Sequence, residues 1–375
     1  MKILHFSDLH LDVGFSESHL PPKVARECRM RLRQTFLRMI DLAIERQADV
    51  VTIGGDLFEH DRVSKDTINF VMENLQHLAP KPVLIAPGNH DYYSPASPYA
   101  RLKWPGNVFI FRDSAIKPFF VNSDFAVWGM AHCSPSERKN PLEAFTRTEA
   151  AKTNILLMHG SEVGNFVENR AAHAPFRLDD IENAGFTFAL LGHYHGMRML
   201  DEDEPLAAYP GSPQPLSFGE DGRHGAIFLN IVDQFVECEF IPTATQAFLT
   251  VSLSPSSEAT DAHTLAEETL LAAGRRAQDA NFLRLQLSGI QQSDAHLDKE
   301  YLKEYLLQYF EHVVIVDRMR SQIDVDIISQ EQTVRGAFTR ELQRVLMDAD
   351  EDQEIVRMAL KYGLDAFEEG KLLKQ

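Results

Sequence analysis

The stretch Ala48-Asp49-Val50-Val51-Thr52-Ile53-Gly54-Gly55-Asp56 is an apolar run of strand length that ends on two glycines and a carboxylate. Its Val and Ile content marks a buried strand. Helical patterns flank it. Upstream, Val24–Gln47 carries Leu32, Phe36, Met39, Ile40, Ala43 and Ile44 at three- and four-residue steps; downstream, Asp66–Leu78 carries Ile68, Val71, Met72 and Leu75 in the same rhythm. Beyond the helices lie two more runs of the same kind. Ile3–Phe6 leads into Ser7-Asp8-Leu9-His10, and Val83–Ala86 leads into Pro87-Gly88-Asn89-His90-Asp91. Strand, helix, strand, helix, strand implies parallel crossovers. Two later runs repeat the theme: Asn154–Met158 before His159-Gly160, and Phe186–Leu191 before Gly192-His193-Tyr194-His195. The runs Phe109–Phe111, Ala126–Met130, Ala226–Val232 and Val236–Ile241 lie closer together and are expected to pair antiparallel. The expected fold is mixed α/β with two packed sheets.

The 375 residues suffice for two to three domains. A polar stretch, Ser252–Asp261, follows a boundary near 243–250. The reading is residues 1–243 as one domain and 244–375 as a second. In the second, helices are expected at 262–279, 298–310, 330–348 and 351–369, with strands at 247–253 and 282–289 and a strand pair over 312–328. Cys28, Cys133 and Cys238 form no CxxC pair, which fits a reducing, cytoplasmic setting. Met1–Asp8 is too short an apolar run for a signal-peptide core, and no run has the length of a membrane span. The formal charge of -18 argues against a basic groove for nucleic acid and against an anionic membrane surface.

The chemistry sits at the strand ends. Asp8 and His10, Asp56, Asn89 with His90 and Asp91, His159, and His193 with His195 come from five segments. The C-terminal ends of parallel strands border the ligand crevice of an α/β sheet. Carboxylate, amide and imidazole suit hard or borderline divalent cations. Seven candidate ligands (Asp8, His10, Asp56, Asn89, His159, His193, His195) exceed one tetrahedral ion and suit two ions sharing a carboxylate. Two such ions clamp a phosphoryl group and activate a water. His90 is the candidate to face the substrate, stabilising charge or protonating the leaving oxygen. The ligand types alone leave Mn, Fe, Zn and Ni open. His5, His19, His77, His132, His173 and His224 read as ordinary cap, turn or core residues.

The set Asp8-Leu9-His10, Gly55-Asp56, Gly88-Asn89-His90-Asp91, His159-Gly160 and Gly192-His193-Tyr194-His195 resembles the calcineurin-like metallophosphoesterases. The flanking Phe6–Asp12, Gly55–Phe58 and Tyr209–Glu220 segments resemble the bacterial DNA-repair exonuclease branch of SbcD type. The resemblance covers residues 1–242. It implies an αββα two-sheet sandwich with a smaller C-terminal α+β capping domain, and a DNA nuclease dependent on two divalent ions, Mn²⁺ in most members. It implies that Asp8, His10 and His195 hold one ion, that Asn89, His159 and His193 hold the other, and that Asp56 bridges them. His90 would contact the scissile phosphate, with Asp91 orienting it. It also implies homodimerisation, and docking of an SMC-like coiled-coil ATPase on the C-terminal domain. Two departures stand out. Members often carry a histidine directly after Gly-Asp-Leu-Phe; here Glu59 holds that position and His60 follows, leaving His60 as a candidate DNA contact. The Gly-Asp-x-x-Asp-Arg pattern of the protein phosphatase branch is not met.

Charge is unevenly spread. Residues 1–243 carry 23 Lys/Arg against 32 Asp/Glu and residues 244–375 carry 14 against 23, a net of −9 in each. Between positions 23 and 38, Lys23, Arg26, Arg29, Arg31, Arg33 and Arg38 oppose only Glu27. Lys23, Arg26, Arg29 and Arg33 are therefore candidates for phosphate contact, against the alternative of a solvated helix face. Tyr92 and Tyr93 are placed to stack on a base or to pack a loop. The acidic run Asp201–Glu204 reads as a solvated hairpin tip.

Overall fold

The computed structural model describes all residues except 16, 17, 19, 144, 148–150, 165–171, 202–204, 221, 234, 256–260, 292–296, 322–324, 348–352 and 373–375. His19 and most of the 201–204 run lie outside the described residues. In chain order the elements are β1 (Lys2–Phe6), α1 (Pro22–Glu45), β2 (Val50–Ile53), α2 (Lys65–Gln76), β3 (Val83–Ile85), α3 (Pro98–Arg101), β4 (Val108–Ile110), β5 (Lys117–Asn122), β6 (Phe125–Gly129), β7 (Thr153–His159), α4 (Leu178–Asn183), β8 (Phe188–Gly192), β9 (Arg198–Leu200), β10 (Ala207–Tyr209), β11 (Gly225–Val232) and β12 (Phe235–Pro242). There follow β13 (Phe248–Leu253), α5 (Ala262–Ala273), α6 (Arg276–Asp279), β14 (Phe282–Leu287), β15 (Ile290–Gln291), α7 (Lys299–Leu306), β16 (His312–Asp317), β17 (Arg320–Ser321), α8 (Val325–Gln330), α9 (Val334–Leu346) and α10 (Gln353–Leu372). Contacts divide the chain into two compact units, Met1–Leu249 with Asp279–Phe282, and Thr250–Gln278 with Leu283–Gln375.

The first unit is a two-sheet α/β sandwich. One sheet runs β12-β11-β1-β2-β3-β4 and the other β5-β6-β7-β8-β10-β9. Strands β1 to β4 are mutually parallel, as are β6, β7, β8 and β10. The expected antiparallel pairing holds for β11 and β12. It fails for β4, which joins β3 in parallel, and for β6, which is antiparallel only to β5. In both cases a long excursion between neighbours hides the crossover that proximity in sequence seemed to forbid.

Alternation of side chains builds the core. Val127, Ile155, Leu157, Phe188 and Leu190 join Ile3, Val50, Leu84, Ile227 and Leu229 in one buried cluster drawn from both sheets. Their neighbours Trp128, Leu156, Met158, Ala189 and Leu191 face the other way and pack with Ile181, Phe176 and Phe186. Helix α1 buries Leu32, Phe36, Met39, Ile40 and Ala43, the predicted stripe apart from an exposed Ile44. Phe36 meets Phe6 edge-on at 6.4 Å.

The second unit holds the sheet β13-β14-β16, the pair β15-β17, and helices α5 to α10. The expected helix over 262–279 breaks at Gly274, whose φ of +57° ends α5. Of the strand pair expected over 312–328, β16 and the two-residue β17 form, but β17 pairs with β15, and Val325–Gln330 is helix: Val325 and Ile328 in α8 fall one turn apart and pack with Phe338, Leu342, Leu360 and Leu364 of α9 and α10.

Candidate metal centre

Parallel register aligns the ends of the strands. Phe6 sits beside Ile53, Ile53 beside Ile85, and His159 beside Gly192. Past those ends the chain turns sharply, and Asp8, His10, Asp56 and His193 all take positive φ, between 48° and 114°. Non-glycine residues reach that region at a cost of about 1–3 kcal/mol each, a strain that concentrates at functional sites. Backbone bonds hold the turns: the Asp8 amide donates to the Gly55 carbonyl (3.0 Å) and the His10 amide to the Asp56 carbonyl (2.9 Å). The two sheets approach closely here. A Cβ on Gly192 would strike the Gly54 carbonyl oxygen, and Gly55, at φ +91°, would meet Gly88 and His159. His5, fully buried, spans the gap, bonding Thr52 Oγ1 and the Leu191 carbonyl, each at 3.0 Å. Burial pushes its imidazole down to about 4, so it stays neutral.

The seven expected ligands come together as two adjoining groups. His10 Nε2 stands 3.2 Å from His195 Nε2, and Asp8 Oδ1 lies 3.9 Å from His195 Nε2. His159 Nε2 lies 3.0 Å from Asn89 Oδ1 and 3.3 Å from Asp56 Oδ2, while the His193 ring is 5.2 Å from the His159 ring. Asp56 touches both groups, because its Oδ2 is also 3.7 Å from His10 Nε2. The sets Asp8–His10–His195 and Asp8–Asp56–His159 each place one donor atom per residue within 4.8 Å of one another. The outer nitrogens fix the inner ones. Nδ1 of His10 pairs with Glu59 (2.7 Å), Nδ1 of His195 with Glu220 (3.2 Å), and Nδ1 of His159 with the Gly54 carbonyl (2.8 Å). Each outer atom is therefore the proton donor, and three Nε2 lone pairs converge on carboxylate and amide oxygens. Acceptors facing acceptors fit cations, and hydrogen-bonded outer nitrogens are the usual support of metal-bound imidazoles.

Without a cation, protons take its place. Burial opposes a charge on His159, but Asp56 outweighs it and lifts the imidazole to about 9. Burial likewise opposes His195, and Glu220 lifts it to about 9. Burial works to raise Asp56, yet the neighbouring His159 and His10 hold it well below the usual carboxylate range.

His90 is the exposed member, its side chain 46% accessible. Its amide donates to Asp56 Oδ1 (2.8 Å). Its ring partner differs from expectation. The Asp91 carboxylate is buried and turned inward, accepting from the amides of Gly88 (2.7 Å), Leu57 (2.9 Å) and Asp56 (3.0 Å) and from the Tyr99 hydroxyl (2.7 Å). Glu59 instead takes His90 Nδ1, at 3.1 Å. That hydrogen bond lifts His90 to about 9 against its partial burial.

Of the expected substrate contacts, His60 and Tyr92 meet: their rings stack at 4.7 Å, and the His60 amide donates to the His90 carbonyl (2.9 Å). Tyr93 packs on the core. Lys23, Arg26 and Arg29 lie in the first two turns of α1, and among the described residues no hydrogen bond or ion pair engages them. Arg33 is instead engaged by its neighbour helix. It bonds Asp66 (2.5 Å) and Thr67 (2.6 Å) of α2 and lies over the Phe70 ring.

One supporting residue, Glu220, is not singled out by the sequence reading, and His132, expected as an ordinary cap, turn or core residue, is fully buried. Glu220 ends the Tyr209–Glu220 segment; it accepts from Ser212 Oγ (3.1 Å) and the Leu216 amide (3.0 Å) while holding His195. His132 bonds the His159 carbonyl (2.7 Å) from the end of β6.

The profile of the calcineurin-like phosphoesterases matches residues 1–202. The chain belongs to the calcineurin-like phosphoesterase family. That family is one of phosphoester hydrolases that use divalent metal ions. It is 27% identical over 248 residues to an uncharacterized metallophosphoesterase, YhaO, of Bacillus subtilis, covering 64% of this chain and 60% of that protein. It is 27% identical to the DNA double-strand break repair protein Mre11 of Methanopyrus kandleri, covering 64% and 56%. The Mre11 of Archaeoglobus fulgidus aligns with 100% of this chain and 86% of its own length, at 24% identity. The chain spans about three fifths of the first two relatives. No helix among the described residues is long and apolar enough to cross a membrane.

Proposed function

We propose that this phosphoesterase is a Mn²⁺-dependent phosphodiesterase acting on DNA, an exonuclease with a capacity for endonuclease cleavage, in DNA repair. The observation that carries the reading is the convergence of three Nε2 atoms, two carboxylates and an amide oxygen beside the exposed His90. Relatives named for double-strand break repair support the choice of DNA. Asp8, His10 and His195 would hold one ion, Asn89, His159 and His193 the other, and Asp56 both. Bound there, the ions would supply a water nucleophile at neutral pH and neutralise phosphoryl charge. His90 presents its ring to solvent, where it meets the scissile phosphate and protonates the leaving oxygen. The His60–Tyr92 stack lies beside it as a platform for a base or sugar. Lys23, Arg26 and Arg29 bind the phosphate backbone. The reading extends to a homodimer, and to an SMC-like ATPase docked on residues 244–375. Cys28, Cys133 and Cys238 form no disulfide among the described residues, which supports the reading of a cytoplasmic protein.

The test is Mn²⁺-dependent cleavage of single-stranded, blunt-duplex and hairpin DNA. Asp56→Ala should be inactive, and His90→Ala inactive while still metal-loaded. Cleavage that persists in excess chelator would sink the proposal. A second reading, a phosphomonoesterase or small-nucleotide phosphodiesterase, is favoured by the charge of -18. Preference for monoesters over DNA by several orders of magnitude would decide for it.

A further inference from the structure

We infer that Glu59 is the positioning residue for both His10 and His90, fixing a metal ligand and the substrate-facing imidazole with the two oxygens of one carboxylate. The inference rests on the phosphodiesterase reading above. Oε1 lies 2.7 Å from His10 Nδ1 and Oε2 lies 3.1 Å from His90 Nδ1. The two rings stand 4.9 Å apart and nearly perpendicular, at 80°. Only a carboxylate offers two acceptors and no donor at this span.

The backbone holds Glu59 at the same place. Its amide faces the Leu11 carbonyl, and its carbonyl accepts from the Arg62 (3.1 Å) and Val63 (2.9 Å) amides. The next residue, His60, donates its amide to the His90 carbonyl. Glu59 is thus tied by main chain to the loop of His10 and next to the loop of His90, and by side chain to both rings. Each ring is held with its proton on Nδ1. For His10 that turns Nε2 toward Asp56 and His195; for His90, which acts as acid in its imidazolium form, it aims the Nε2–H proton outward at the leaving oxygen. Asp91 cannot share the task, because its oxygens already serve three amides and a hydroxyl.

The experiment compares wild type with Glu59→Gln at saturating Mn²⁺. The amide keeps the size of the side chain but turns an NH₂ toward one Nδ1–H. Two phosphodiesters are used: DNA, whose alkoxide leaving group needs a proton, and bis(4-nitrophenyl) phosphate, whose phenolate does not. Glu59→Gln should lower kcat on DNA by about 10²-fold, with little change in KM and a clearly smaller loss on the nitrophenyl ester. The independent readout is ¹⁵N-resolved NMR of the histidines with Zn²⁺ bound. Wild type should show His10 and His90 both protonated at Nδ1, and Glu59→Gln should lose that state at one ring or both. Unaltered tautomers, or an equal loss on both substrates, would overturn the inference. If wild type cleaves neither diester, the phosphodiesterase reading fails, while the tautomers still decide whether Glu59 positions the rings. Should Glu59→Gln fold poorly, Glu59→Ala supplies the same comparison of the two substrates.

Discussion

Asp91 sits between Asn-His and Tyr92 in the motif, yet its carboxylate serves the backbone. It gathers the Gly88 loop, the Asp56–Leu57 turn and Tyr99 at one buried point. Removing it strands three amides and a hydroxyl, and each buried donor left unmade costs about 1–3 kcal/mol. Asp91→Ala should therefore destabilise the fold by roughly 3 kcal/mol or more. For a domain of this size that lowers Tm by roughly 6 °C or more. His90→Ala, at a half-exposed ring, should leave Tm nearly unchanged and abolish DNA cleavage. Thermal unfolding of both proteins separates the cases. A Tm for Asp91→Ala as high as that of His90→Ala would return Asp91 to the role of a mere partner for His90. Sequence alone could not make this distinction. Both readings demand an acid beside the histidine, and only the direction of the carboxylate tells them apart.

The five strand-end segments were legible because a buried parallel strand announces itself as an unbroken apolar run, and its polar successor is then conspicuous. The short strands β5, β9 and β10 were not legible. Three to six residues, partly exposed in β5 and β9, carry too little periodicity to stand out. Helix α1 shows the same limit in another form. Its basic run was plain, but which charges are free depends on α2, where Asp66 and Thr67 capture Arg33. Under the nuclease reading, replacing Lys23, Arg26 and Arg29 together with alanine should weaken DNA binding alike for all sequences. It should also flatten the salt dependence, by roughly 0.7–0.9 in log–log slope for each phosphate that is no longer neutralised. Arg33→Ala should leave that slope unchanged and loosen the packing of α1 on α2 instead. Binding titrations at several salt concentrations test both, and a slope that responds only to Arg33 would reverse the assignment.

The formal charge of -18 divides into −9 over residues 1–243 and −9 over the shorter 244–375, and part of the first share is the ligand carboxylate itself. Two divalent ions would return about four positive charges to the site. The state of the centre therefore governs how the molecule responds to pH. In metal-free protein, His159 and His195 each titrate at about 9, against an ordinary value near 6.5, because Asp56 and Glu220 outweigh burial. A group whose pKa is raised by folding contributes stability that is fully present below its unfolded value and is lost as pH rises through its folded value. Chelated protein should thus lose Tm between about pH 6.5 and 9. Cations compete for the same lone pairs, so their affinity rises as these protons leave. Mn²⁺-loaded protein should gain stability relative to the chelated form across that window, and binding at neutral pH should release protons. Melting curves in chelator and in Mn²⁺ across this pH range, with calorimetry in buffers of different ionisation enthalpy, measure both effects. Parallel Tm profiles with no proton release would mean that His159 and His195 do not carry the protons that the metal must displace.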